Sequence, residues 1–294
     1  MAEKNTVLCV GVNPAFDLTV TVDGLDDDRV NRVLEEHCQA AGKAANVACG
    51  LAARGVAVTL LGLYGEDNYS RWSSAFEERS GGAVRCEAVL CPGETRRNMT
   101  LLTEGRTIKV NFGGCRAEES HVQALAEMIK SHTHADCPVV FTGSLPPGMS
   151  CGDYLGLMSE VSRRGGRIVI DSDRLSRQEI LSAGPWIYKP NAHELAAVCG
   201  ADSGDDDALI RCAQQLAREG VSIVLLTLGG RGLAVVTAQE TVRVPARRVT
   251  PVNTVGAGDA ALAAFIAAQL RGDDFEACAQ KAARAGESVV MQAH

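Results

Sequence analysis

The segment Asn253-Thr254-Val255-Gly256-Ala257-Gly258-Asp259 runs straight into a helix-prone stretch of small residues, Ala260-Ala261-Leu262-Ala263-Ala264-Phe265. Two glycines and an alanine at a helix start leave backbone N–H groups bare. With the helix dipole behind them, those groups favour a bound anion. Asp259 falls in the first turn beside this anion hole, where a carboxylate can accept a proton from a hydroxyl. A glycine-rich turn whose aspartate merely caps the helix explains Gly256-Ala257-Gly258-Asp259 equally well when those residues are taken alone. The choice between the two depends on what the rest of the chain builds around the segment.

Upstream of it, short apolar runs alternate with helical patterns. Val7 to Val12, Val58 to Leu63, Val139 to Thr142, Arg167 to Ile170, Ile187 to Lys189 and Ser222 to Thr227 are nearly continuous in apolar residues, as strands covered on both faces are. Helices are expected at 44–54, 68–79, 118–131, 152–164, 205–219 and 258–270. That alternation predicts an α/β fold with a mostly parallel sheet between helical layers. Two stretches break the rhythm, 18–39 and 84–111. Alternating segments such as Arg96 to Leu101 and Thr107 to Val110 suggest one-faced antiparallel strands, expected to pair into a small lid sheet inserted in a single domain spanning 1–294. The run Asp205-Asp206-Asp207 reads as a solvated first helical turn.

Composition narrows the function. A net charge of -7 and a pI near 5.4 argue against a nucleic-acid footprint, which needs clustered Lys and Arg. No apolar stretch reaches membrane-spanning length, and the amino terminus has no signal-peptide pattern, so a cytoplasmic location is expected. The 11 cysteines are scattered, odd in number and without a C-x-x-C pair. They read as small buried residues rather than a disulfide framework or a zinc site, and His132 and His134 read as loop residues.

The long segment at 253–259 resembles the signature of the ribokinase-like (PfkB) sugar kinases, in which the aspartate is the catalytic base. Further matches follow in family order: Val12-Asn13-Pro14-Ala15-Phe16-Asp17, Ala41-Gly42-Lys43-Ala44-Ala45-Asn46-Val47-Ala48, Gly143-Ser144-Leu145-Pro146-Pro147-Gly148, Lys189-Pro190-Asn191-Ala192-His193-Glu194 and Thr227-Leu228-Gly229-Gly230-Arg231-Gly232. Asn13-Pro14-Ala15, Arg29-Val30-Asn31-Arg32, Gly65-Glu66-Asp67-Asn68 and Pro92-Gly93-Glu94-Thr95-Arg96 point to the 1-phosphofructokinase and tagatose-6-phosphate kinase branch. The resemblance implies a three-layer ribokinase-like α/β/α core with a β-sheet lid, ATP and Mg²⁺ as cofactors, and a sugar phosphate as acceptor with fructose 1-phosphate leading; the protruding lid sheet offers a surface for a homodimer.

It also implies roles. Asp259 would be the base and Gly256, Ala257 and Gly258 the anion hole. Asp17, Gly42, Lys43, Asn46 and Arg96 would hold the acceptor, with Lys43 and Arg96 on its phosphate and Arg29 and Asn31 helping from the lid. Lys189, Asn191, Thr227, Gly229, Gly232 and Asn253 would border the nucleotide, and Asn191 with Glu194 would organise Mg²⁺. Plainer readings stand beside these. Asp17 in a turn can bond its own backbone, Arg96 can be an edge charge that deters aggregation, and Asn191 with Glu194 can form a capping box. No G-x-x-x-x-G-K-[ST] string occurs, so the resemblance puts the anion hole at Gly256 to Gly258 in the place of a P-loop.

Two positions depart from the family pattern. Ala44 stands where the family has the last glycine of its second signature, and would be strained if that site requires positive φ. Phe112 puts an aromatic ring in a turn that is otherwise small, beside the expected acceptor site.

Overall fold

The computed structural model describes residues 6–247 and 255–291. From the amino end, β1 (Thr6–Gly11) enters the centre of the main sheet, and β2 (Ala15–Val22) and β3 (Val33–Ala41) leave it as a hairpin. The chain returns through α1 (Lys43–Ala52), β4 (Ala57–Gly65), α2 (Tyr69–Ser80) and β5 (Val84–Cys91), then leaves again as β6 (Arg96–Thr103) and β7 (Arg106–Asn111). Next come α3 (Glu119–His132), β8 (Pro138–Thr142), α4 (Cys151–Arg163), β9 (Arg167–Asp171), α5 (Arg177–Ala183), β10 (Ile187–Tyr188), α6 (Ala192–Cys199), α7 (Asp206–Arg218) and β11 (Ile223–Thr227). An antiparallel pair, β12 (Leu233–Val236) and β13 (Thr241–Val244), forms one edge of the sheet before α8 (Ala257–Leu270) and α9 (Phe275–Val290).

Nine strands form the main sheet in the order β13-β12-β11-β10-β9-β8-β1-β4-β5, parallel from β11 to β5. Residue alternation along β1 divides the core. Leu8 and Val10 pack toward α3, α4, α6 and α7, while Val7 and Cys9 pack toward α1, α2, α8 and α9. The expected three layers are therefore present, and the outer helices follow from strands that are apolar on both faces. α8 is buried on nearly every side. Its alanines let it approach α1 so closely that a Cβ on Gly50 would meet the Cβ of Ala263 at 2.8 Å.

The lid has the order β3-β2-β6-β7. Two expectations about it need correction. β2 and β6 run parallel, because each leaves the same end of the main sheet, after β1 and β5 respectively. And β5, expected in the lid, pairs with β4 in the main sheet, so within 84–111 only β6 and β7 are lid strands. α2 anchors the lid: Trp72 Nε1 donates to the Ala15 carbonyl at 2.9 Å and Arg79 Nη1 to that of Ala40 at 2.7 Å.

The cysteines also depart from expectation at one place. Cys199 and Cys212 form a disulfide between α6 and α7, a local cross-link, while nine others are free thiols. Asp205 sits just before α7 and caps it, its side chain accepting from the Ala208 N–H at 2.8 Å, with Asp206 and Asp207 in the first turn. No helix among the described residues is long and apolar enough to cross a membrane.

Candidate active site

A cavity of about 1220 Å³ opens between the carboxyl ends of the parallel strands and the lid, the crevice where open α/β sheets bind ligands. α8 begins at its floor. Gly256 has φ 82° and caps the helix, a backbone conformation that glycine adopts without strain. The first-turn N–H groups that follow have no helical carbonyl to bond. A Cβ on Gly258 would lie 3.4 Å from Lys189 Nζ, so an ammonium group stands against this helix start. Asp259, 6% exposed, receives a hydrogen bond from Asn46 Nδ2 at 2.8 Å.

A second buried carboxylate lies next to it. Asp171, at the end of β9 and 1% exposed, pairs with Lys43 Nζ at 3.3 Å and Lys189 Nζ at 3.2 Å through Oδ1. Its Oδ2 is buried and has no hydrogen-bond partner among the described residues. Lys43 heads α1, following Gly42, whose φ of 118° brings its backbone against Pro14.

At the lid end, Asp17 on β2 accepts from Asn98 Nδ2 of β6 at 2.9 Å. Arg96 lines the cavity, and its buried Nε has no partner among the described residues. Asn13 ties the far wall together, donating to Gly113 O, Ser144 Oγ and Leu145 O at 3.2 to 3.3 Å.

A family model, pfkB family carbohydrate kinase, matches residues 4–293. The chain belongs to that family. A 1-phosphofructokinase of Xanthomonas campestris pv. campestris is 33% identical to this kinase over 282 residues, covering 94% of this chain and 88% of that protein. A 1-phosphofructokinase of Rhodobacter capsulatus is 32% identical, covering 94% and 87%. Among solved structures, phosphofructokinase-2 from Escherichia coli in complex with substrates and products superposes with a TM-score of 0.89 at 22% identity, over 97% of this chain and 93% of that one. The ribokinase-like fold and a phosphotransferase activity are thereby shown, and membership in a kinase family implies ATP as substrate.

Of the residues singled out in the sequence of this kinase, the cavity is lined by Asp17, Gly42, Lys43, Asn46 and Arg96, by Lys189, Asn191, Glu194, Thr227, Gly229 and Gly232, and by Gly256 to Asp259. Asn253 lies outside the described residues. Arg29 and Asn31 are not brought to the cavity. They sit in the exposed connection between β2 and β3, where Arg29 pairs with Asp26 at 3.4 Å and Asn31 bonds the Asp26 backbone. Asn191 and Glu194 do form the capping box of α6, each side chain accepting from the other's backbone N–H at 2.9 and 2.8 Å. Ala44 is unstrained, because it lies inside α1 and the positive φ of this turn falls on Gly42.

The electrostatics follow from burial and pairing. Burial, then the neighbouring Asp171 carboxylate, push the Asp259 carboxyl up to about 6, against the opposing pull of Asn46, Lys43 and Lys189. Burial also pushes Asp171 up, but Lys189 and Lys43 outweigh it and hold its carboxyl below the usual range. Lys43 is raised above its ordinary value, the effect of burial being exceeded by Asp171, Asp259 and Glu194. Sequence reading missed Asp171, although an aspartate at the carboxyl end of a parallel strand is a signal in itself. It missed Asn98, the partner of Asp17, as well.

Proposed function

We propose that this kinase transfers the γ-phosphoryl group of ATP to fructose 1-phosphate, with Asp259 as the general base. The observation that carries the reading is Asp259 itself: a buried carboxylate with a raised proton affinity, held by Asn46 and set at the start of α8 beside Lys189. A base poised near neutral pH can take the hydroxyl proton as the oxygen attacks. The N–H groups of Gly256 to Gly258 meet the negative charge that develops on the transferred group. Lys43, drawn to Asp171 and Asp259, is assigned to that same end, and not to the acceptor's phosphate as its sequence motif first suggested. Arg96 is the cation for that phosphate, which its buried, partnerless Nε supports. Asp17 takes sugar hydroxyls, and Lys189, Thr227, Gly229 and Gly232 border the nucleotide.

The residues present fit a Mg²⁺ ion bound mainly through water and phosphate oxygens. Asn191 and Glu194 line the cavity, Asp171 Oδ2 lacks a partner, and no closed cage of His, Cys, Asp or Glu occurs among the described residues. When bound, the ion would offset phosphate charge.

The test is ADP release with MgATP against fructose 1-phosphate, tagatose 6-phosphate, fructose 6-phosphate, fructose, ribose and adenosine. Selective turnover of fructose 1-phosphate is expected. Preference for another member overturns the acceptor assignment, and silence across the panel overturns the reading as a whole. Arg96→Ala is expected to raise KM for the sugar phosphate by roughly 10- to 100-fold, the worth of a charge-assisted hydrogen bond, while KM for unphosphorylated fructose stays put.

The lid supports a second copy of this chain as partner. It exposes Val30, Val33, Leu34 and Val110 and leaves β3 and β7 as open edges. Val33→Asp together with Leu34→Asp is expected to turn a dimer into a monomer in sedimentation velocity; a wild-type monomer would refute the partner.

A further inference from the structure

Arg79 lies in the last turn of α2 on the protein surface. Its Nη2 donates to Asn46 Oδ1 at 2.8 Å and its Nη1 to the Ala40 carbonyl at the foot of lid strand β3 at 2.7 Å. Asn46 then gives Nδ2–H to Asp259 Oδ2 at 2.8 Å. A guanidinium has only donors, so the amide oxygen of Asn46 must face Arg79 and its NH2 must face the carboxylate. Without Arg79 only the ionised Asp259 carboxylate holds the amide this way round, and once protonated that carboxyl could donate to the oxygen of a reversed amide.

We propose that Arg79 is a positioning residue for the phosphoryl transfer, fixing the Asn46 amide so that a proton always points at Asp259, and tying that orientation to the lid through Ala40. The inference rests on the reading of Asp259 as base. Arg79 is absent from the described lining of the cavity, so it acts through Asn46 and not on substrate.

Other charges around the pair stay in place when Arg79 is replaced. α1 presents Lys43, β9 presents Asp171, and Lys189 follows β10. Glu194 on α6 acts on Lys43, α9 presents Glu287 paired with Arg247, and Cys49 on α1 feels the Arg79 charge. Asn46 lowers the proton affinity of Asp259 in opposition to Asp171. Loss of its ordered donor therefore moves the acid limb of kcat/KM to higher pH.

The experiment compares Arg79→Met, Arg79→Gln and Arg79→Lys, with and without Asn46→Ala, against Asp259→Asn. Arg79→Met is expected to lower kcat on the order of tenfold, to shift the acid limb upward by roughly half a pH unit, and to leave KM for the acceptor nearly unchanged. Arg79→Lys, with one donor, should recover part of kcat. In the Asn46→Ala background, Arg79→Met should add nothing. Arg79→Gln removes the charge while keeping a polar side chain and should shift the limb in the same direction, so a folding defect in the methionine variant leaves the test intact. A wild-type pH profile and kcat in Arg79→Met or Arg79→Gln, beside an inactive Asp259→Asn, would overturn the relay alone. Equal losses with and without Asn46 would overturn it too, since Arg79 would then act through Ala40. Turnover surviving in Asp259→Asn would instead overturn the base.

Discussion

Asp259→Asn is expected to lower kcat by about 10²- to 10⁴-fold while the dissociation constants for ATP and sugar phosphate stay within a few-fold of wild type, and to raise the melting temperature. The two results share one cause. At pH 7 the fold holds an ionised carboxylate that is buried and faces the Asp171 carboxylate, so that its proton affinity is raised to about 6. An amide keeps the acceptor oxygen for Asn46 Nδ2 and removes the buried charge, which relieves the fold but leaves no base. The pH dependence carries the same signature. The folded pKa, about 6, lies above the ordinary aspartate value of 3.8. Between these two values the folded protein binds a proton that the unfolded chain has released, so this group adds stability as pH falls through about 6 toward 4 and withdraws it as pH rises again. Wild-type kcat/KM should fall about tenfold per unit below pH 6, just where this contribution to stability grows. Single-turnover kinetics and thermal melts from pH 5 to 8 check both. Near-normal turnover in the asparagine variant would remove Asp259 from the chemistry, and an unchanged melting temperature would show that its charge carries no cost.

The parts of this molecule that the sequence made legible are those whose physics is local. β1, β4, β8, β9 and β11 are covered on both faces and therefore appear as nearly continuous apolar runs. α8 and its glycine cap share a few consecutive residues, so the anion hole and Asp259 could be read together. The misassigned β5 is an edge strand whose partly exposed pattern, Val84-Arg85-Cys86-Glu87, resembles that of a lid strand. α9 escaped notice because it buries Cys278, Ala279, Ala282 and Ala285, small residues that leave no stripe of large apolar side chains to mark a helix. Nor did the sequence announce the wiring of the site. Asn46, expected to touch sugar, also donates to Asp259, through a contact that spans 213 positions in the chain. Lys43 reaches Asp171 across 128 positions. Contacts of that range depend on sheet order, and no spacing in the chain encodes them.

Asp171→Asn should damage both properties that Asp259→Asn separates. Asp171 is the carboxylate on which two ammonium groups converge, and its replacement by a neutral isostere leaves Lys189, itself 4% exposed, without its ion-pair partner. Breaking a buried pair by removing one partner costs about 3 kcal/mol or more. In a chain of this length that corresponds to a melting temperature lower by roughly 5–10 °C. Catalysis should suffer for a different reason. Lys43 is 41% exposed at its side chain and is held on the reacting side by Asp171. Once released, it samples other rotamers and no longer stands ready for the phosphoryl group, so kcat should fall on the order of 10²-fold. The acid limb of kcat/KM distinguishes this account from simple loss of structure. Asp171 raises the proton affinity of Asp259, so its neutralisation should move that limb to lower pH, opposite to the shift expected for Arg79→Met. An acid limb that stays at its wild-type position would mean that the two carboxylates do not sense one another. Asp171 would then be a structural ion pair, and the raised proton affinity of Asp259 would come from burial alone.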